Sequence, residues 1–193
     1  MDYKFLLNSI RYVILNPAKA WRIILEENRS LKEVRNSFLF PVVIIATICA
    51  FLGSIIFTNA KLSPVYSVFV GLKFLLLYLF TIYTSALILS EITRALDLGK
   101  NFNLSFKLIA YSFTPFLICQ FVSLLFESLV FVNVLALFGL YIFWIGAEIM
   151  LNPPDHKKMP MLVAIFVVMT ELFIAGNVAL TSVIDRIYFA LFA

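Results

Sequence analysis

One carboxylate, Glu171, lies near the middle of the last of five long apolar stretches in this chain. A charged side chain at the centre of a bilayer costs about 2.5–3.5 kcal/mol or more, so such residues face a bundle interior, a partner or a water-filled cavity. We therefore expect Glu171 to point away from hydrocarbon, into a helix bundle. There it can carry a proton or cation, or hydrogen-bond a neighbouring helix.

A lysine, Lys73, lies in the outer half of the second apolar stretch. With a rise of 1.5 Å per helical residue, Glu171 lies about 15 Å from the cytoplasmic boundary and Lys73 about 10 Å from the outer one. Their axial separation of about 5 Å predicts a direct or water-bridged pair inside the bundle. The alternative is that Lys73 extends its ammonium group to the outer membrane surface.

Other polar side chains lie within or at the ends of the apolar stretches. Such groups are suited to a proton or cation path, but the same groups also join helices by hydrogen bonds. The two acidic ones lie near the cytoplasmic ends, where solvation is the simpler interpretation. The residues are Glu91, Gln120, Asn133, Glu148 and Asn177.

The sequence lacks the residues that several kinds of catalysis and metal binding require. The single histidine, His156, lies in a loop, which excludes Ser-His hydrolysis and His-rich metal sites within this chain. Cys49 and Cys119 lie in apolar stretches without a nearby basic residue and are expected to be small buried side chains. We predict no cofactor and no metal. Only a carboxylate-based enzyme remains as a catalytic alternative.

Composition and charge placement define the class of protein. The chain is 63% hydrophobic with a mean hydropathy of +1.01, far outside the range of soluble domains. Its net charge of +4 comes from basic residues beside apolar segments, which argues against nucleic-acid binding.

The apolar stretches are each long enough to cross a bilayer as a helix, which takes about 20 residues. We predict an all-α membrane protein in which residues 37–193 form a five-transmembrane-helix bundle. The third and fourth spans must form a tight hairpin. The predicted spans are Phe38–Thr58, Pro64–Ser90, Leu108–Phe126, Leu129–Leu151 and Met161–Ile184.

The distribution of Lys and Arg predicts the orientation. Twelve of these residues lie in the N-terminal segment and in the second and fourth loops, against two on the opposite side, Lys61 and Arg186. Because cytoplasmic loops are enriched in positive charge, the N-terminus is predicted to be cytoplasmic and the C-terminus outside.

Residues 1–36 are predicted to form an amphipathic segment with two short helices, 3–15 and 17–27, broken at Pro17. Their apolar face and basic residues are typical of helices in the headgroup layer of an anionic cytoplasmic leaflet. The alternative is that this face docks under the bundle. The predicted interfacial anchors are Arg11, Lys19, Trp21 and Arg22.

Local signals predict where helices start and stop. Asn16 is expected to cap the second helix, and Ser30 with Glu33 forms a capping-box pattern. Pro41 marks a kink or a fresh helical start, Asn152 precedes a Pro-Pro stop, and Pro160 is predicted to open the fifth span.

Stripes of small residues predict close helix packing on the first, fourth and fifth spans. They are Ala46, Ala50 and Gly53, then Ala136, Gly139, Gly146 and Ala147, and finally Ala175 and Ala179.

Three segments together resemble bacterial members of the Yip family, the Rab/Ypt-interacting-protein membrane domain. They are RYVILNPAKAWRI at residues 11–23, LIAYSFTPFL at 108–117 with Tyr111 and Pro115, and the stretch from Trp144 to Pro153. The resemblance implies five spans and a cytoplasmic N-terminus, here in a bacterial inner membrane. The Asp-Leu-Tyr-Gly-Pro motif of eukaryotic members is missing, so GTPase-related trafficking is not carried over.

The sequence thus favours a non-catalytic membrane protein that organises the membrane or binds a partner. That partner would be another membrane protein or a second copy, beside the lipids of the cytoplasmic leaflet. The alternative is a small transporter or a proton- or ion-conducting protein that uses Glu171.

Overall fold

The computed structural model describes residues 3–57 and 64–192. It begins with two short helices, α1 (Tyr3–Leu15) and α2 (Pro17–Glu27), which confirms the break at Pro17. The Asn16 side chain accepts a hydrogen bond from the backbone N–H of Lys19 at 3.1 Å, as the capping pattern predicted. Thr58, Lys61 and Ala193 lie outside the described residues.

Every other element in the described part of the chain is also helical. Five helical segments there are long and apolar enough to cross a membrane, which confirms the predicted fold class. The elements are α3 (Leu31–Val34), a π-helical turn (Arg35–Leu39), α4 (Phe40–Phe57), α5 (Pro64–Ala95), α6 (Phe102–Ser112), α7 (Thr114–Leu125), a 3₁₀ helix (Glu127–Leu137), α8 (Phe138–Leu151) and α9 (Asp155–Phe192).

The first span begins with the predicted capping box. The Ser30 hydroxyl accepts from the Glu33 N–H at 3.3 Å, and the Glu33 carboxylate accepts from the Ser30 N–H at 2.8 Å. The π-helical turn then precedes Pro41, which lies in the first turn of α4. A proline removes one N–H and crowds the carbonyl four residues earlier, and the wider turn accommodates both effects.

The third span is longer than predicted and is broken. Asn101 caps α6, so the helix begins before Leu108 and buries Lys107, which the sequence analysis counted as a loop residue. The helix breaks at Phe113 and restarts as α7 with Pro115 in its first turn. The tight hairpin that follows is confirmed, since α7 ends at Leu125 and the 3₁₀ helix begins two residues later.

The fifth span differs most from its prediction. Asn152 ends α8 in a left-handed conformation (φ 44°), as expected, but α9 already begins at Asp155. Pro160 lies inside this helix, so its predicted role as the opening residue is wrong. With 38 residues, α9 is about 57 Å long, which exceeds the hydrocarbon thickness of about 30 Å.

Helix α5 packs between α4 and α9, and α4 also packs against α7. The small-residue stripe of α4, Ala46, Ala50 and Gly53, is buried, and Gly53 lies at this second contact. A Cβ atom added at Gly53 would lie 1.8 Å from the backbone oxygen of Leu124. The two helices therefore approach as closely as they do only because residue 53 has no side chain.

We expect Gly53→Ala to destabilise the fold by about 1–3 kcal/mol, because backbone atoms of α7 must move to admit the methyl group. Gly176→Ala is the matched control, since its nearest neighbour is the end of the Leu77 side chain at 2.9 Å, which can rotate. Denaturant titration of both variants in detergent micelles measures the difference. Equal loss of stability in the two variants would contradict the close α4–α7 contact.

Candidate functional site

Glu171 lies on the exposed face of α9, which contradicts the expectation that it points into the bundle. Helix α9 contacts the bundle through α5 and α8, along a face on which Met161, Ile165, Ile184 and Tyr188 are buried. Glu171 falls on a different side of the helix. No hydrogen bond or ion pair joins it to another described residue.

The predicted pair between Lys73 and Glu171 is also wrong. The Lys73 ammonium lies 3.3 Å from the hydroxyl oxygen of Thr181, to which it donates, and 4.4 Å from the centre of the Phe74 ring. Thr181 is ten residues beyond Glu171 on α9, or about 15 Å along the axis. The estimate failed because it placed the start of the fifth helix at Met161, whereas α9 begins earlier and its register against α5 is different.

A polar cluster that the sequence analysis missed lies near this lysine, between α5 and α9. The Tyr66 hydroxyl donates to the Asp185 carboxylate at 2.9 Å, and the Tyr66 ring packs edge-on against Tyr188 at 5.1 Å. Thr181 and Asp185 are four residues apart on α9, and Tyr66 and Lys73 are seven apart on α5. This helical spacing of polar residues was the signal available in the sequence.

The remaining candidate residues do not form one track. Glu148 is exposed and accepts a hydrogen bond from Lys158 at 3.0 Å, as expected of a solvated residue. Gln120 donates to Asn133 at 3.2 Å, which joins α7 to the 3₁₀ helix. The side-chain oxygen of Asn177 is buried without a partner among the described residues. Within the described ranges, no group of three or more His, Cys, Asp or Glu could hold a metal ion.

Trp21 is fully buried, so its predicted role as an interfacial anchor is wrong and the docked alternative is right for this residue. Its indole N–H donates to the backbone oxygen of Ile142 in α8 at 2.9 Å. The ring fills a notch over Gly146, where an added Cβ atom would lie 2.4 Å from it. The apolar face of α2 is therefore docked on the bundle, and Trp21 makes its most specific contact.

The other three predicted anchors lie on the exposed face of the same segment. Arg11, Lys19 and Arg22 are exposed, and the Lys19 ammonium lies 5.3 Å from the centre of the Tyr12 ring. The segment thus has one face docked on the bundle and another that carries free cations.

The three sequence segments singled out above meet at this junction. Trp21 from the first packs edge-on against Tyr111 from the second, with ring centres 5.9 Å apart, and covers Gly146 from the third. Phe38 also packs against the Tyr111 ring, with ring centres 4.2 Å apart. Residues that are far apart in sequence therefore build one aromatic cluster under α8.

Comparison with known proteins agrees with these segments. The family model of the Yip1 domain matches residues 11–176 of the 193. The match begins at Arg11, in the first segment, and extends over most of the membrane-length helices. No match was found among curated proteins or among solved structures.

We expect Trp21→Phe to lower stability by about 0.5–1.5 kcal/mol, because it removes the hydrogen bond to Ile142 while most of the ring packing is kept. Trp144→Phe is the matched control, since the Trp144 indole makes no hydrogen bond to a described residue. Limited proteolysis of the first 30 residues in micelles, alongside denaturant titration, reports detachment of the segment. If both variants detach equally, the hydrogen bond does not hold it.

Proposed function

This chain belongs to the Yip1-domain family of membrane proteins, and from that premise we propose that it is a non-catalytic module that binds another membrane protein through α9. The observation that carries the proposal is the exposed carboxylate of Glu171. It is surrounded on the same side of the helix by the exposed apolar residues Val167, Ile174 and Val178. A lipid-facing carboxylate among such residues is costly, so a partner that covers it gains binding free energy.

The small residues of α9 support the same interface. Ala175 and Ala179 follow Glu171 at helical spacings of four and eight, and both are exposed. The corresponding stripe on α4 is buried by a neighbouring helix of the same chain. Small residues allow two helices to approach closely, so a helix of another protein can pack against the α9 stripe.

The charge of Glu171 argues that the partner is a different protein and not a second copy of this chain. A two-fold dimer through parallel α9 helices would bring two Glu171 carboxylates together at one depth. Like charges in a medium of low dielectric constant repel each other strongly. The partner helix therefore presents a hydrogen-bond donor or a cation at that level, such as Ser, Asn, Lys or Arg.

The transporter alternative has no comparable observation in its favour. No hydrogen bond or ion pair joins any two of the five residues considered for a path in the described structure. They are Glu171, Lys73, Glu148, Gln120 and Asn177.

We further propose the orientation that the basic residues favour, with the N-terminus in the cytoplasm of a bacterial cell and the C-terminus outside. The exposed positions of Arg11, Lys19 and Arg22 support contact with an anionic cytoplasmic leaflet. In this orientation the α1–α2 segment lies on the cytoplasmic side of the inner membrane.

A photo-crosslinking amino acid at Val178, on the face of Glu171, tests the α9 interface in native membranes. We expect a defined protein adduct there and none from Leu87, an equally lipid-exposed position on α5. Glu171→Leu should reduce the yield of that adduct about 3- to 30-fold, because one interhelical hydrogen bond is worth about 0.6–2 kcal/mol. Mass spectrometry identifies the adduct.

Two results contradict the proposal. One is an adduct pattern at Val178 that matches the pattern at Leu87, and the other is a specific adduct whose yield does not depend on Glu171. An adduct of twice the mass of the chain assigns the interface to self-association and excludes the different partner.

A further inference from the structure

A cavity of about 180 Å³ lies between α1, α2 and the buried end of Tyr111 in α6. Its walls combine apolar side chains with the polar groups of Asn8, Ser9, Tyr12 and Glu27. Cavities for drug-sized ligands measure about 300–1,000 Å³, so this one fits a smaller group such as a lipid headgroup.

Tyr111 forms the floor of the cavity and is only 1% exposed. Its ring is held by Phe38 at 4.2 Å and by Trp21 at 5.9 Å, so the hydroxyl is fixed in position. That hydroxyl has no hydrogen bond to any described residue. Because polar groups in folded proteins are almost always paired, this hydroxyl is available to a hydrogen-bond partner, water or a ligand, within the cavity.

Two cations lie close to the cavity, each over the ring of a residue that lines it. The Arg29 guanidinium carbon is 3.7 Å from the centre of the Phe5 ring, and the Lys19 ammonium is 5.3 Å from that of Tyr12. Arg29 also pairs with the Glu27 carboxylate at 2.7 Å. These residues thus offer positive charge for an anion and, beside it, one acceptor for a hydrogen-bond donor.

We propose that this cavity binds a phosphate-bearing group that also carries an ammonium or hydroxyl donor, as phosphoethanolamine and glycerol phosphate do. The phosphate oxygens accept from the Tyr111 hydroxyl and from the cations Arg29 and Lys19. The ammonium or hydroxyl group of the ligand donates to the Glu27 carboxylate, either replacing Arg29 there or alongside it. The inference does not depend on the α9 interface, because it uses no residue of that helix.

The group can belong to a membrane lipid or to a soluble phosphate ester, and the α1–α2 segment favours the lipid. Leu7 and Leu15 are 66% and 72% exposed, and Leu25 is 45% exposed. Exposed leucines beside basic residues are typical of helices that lie in the headgroup layer. The mouth of the cavity is then level with phospholipid headgroups.

The test uses the full-length protein in detergent, with bound lipid counted by native mass spectrometry. Phosphatidylethanolamine and phosphatidylglycerol should bind, and phosphatidylcholine, which has no donor, should bind more weakly. Tyr111→Phe should weaken binding about tenfold, as expected for loss of a hydrogen bond to a charged group. Tyr78→Phe is the matched control, because Tyr78 is a buried tyrosine of α5 with an unpaired hydroxyl away from the cavity.

Two further measurements complete the design. Lys19→Gln changes an exposed residue and should also weaken binding, so it tests the site even if Tyr111→Phe lowers stability. Added sn-glycerol 3-phosphate displaces the lipid if the site takes a soluble ester and leaves it bound if the headgroup of a lipid is required. Equal lipid binding by the wild type, Tyr111→Phe and Lys19→Gln, or equal binding of all three phospholipids, would overturn the proposal.

Discussion

The cost of charge in hydrocarbon is the constraint on which the rest of this structure depends. Inside the bundle, charged side chains have hydrogen-bond partners on a neighbouring helix. Lys73 donates to Thr181, and Asp185 accepts from Tyr66, both at the contact of α5 with α9. Glu171 lies on the same helix without such a partner. Helix α9 therefore has one face whose charged group is paired within the chain and one face, here called incomplete, whose carboxylate has no partner among the described residues.

The topology explains why the incomplete face is on α9. Helix α5 has neighbours on two sides, whereas α9 follows all other helices and packs mainly on α5, with a smaller contact to α8. Within the described residues, no helix packs against the flank of α9 that carries Glu171, Val167 and Ile174. Apolar residues there are compatible with lipid, but a carboxylate is not, which is what separates a partner surface from an ordinary lipid-facing one.

Much of the fold could be predicted because its signals are local. Asn16, the Ser30–Glu33 box and Asn152 act on backbone groups within a few residues, so the sequence pattern contains the whole interaction. The length of the apolar stretches likewise determines that they can span a bilayer. These predictions needed no knowledge of which helix lies beside which.

The site was harder to predict because it depends on contacts between distant residues. The depth of Lys73 relative to Glu171 followed from assumed helix starts, and the early start of α9 at Asp155 changed the register. The side of α9 that faces away from the bundle could not be predicted either, since apolar residues occur all around this helix. Trp21 has the sequence context of an interfacial anchor, and its docking depends on distant residues, the space at Gly146 and the carbonyl of Ile142.

The docked tryptophan also explains how one short segment has a buried face and an exposed face that carries cations. Because Trp21 and Ile24 are buried against the bundle, the orientation of α2 is fixed and its cations must face outward. The same tryptophan packs against Tyr111, which lines the cavity together with residues of α1 and α2. A segment that lay freely in the headgroup layer would present the same charges but would have no floor of fixed geometry. In the proposed headgroup site, docking supplies the fixed geometry that selection of one headgroup requires.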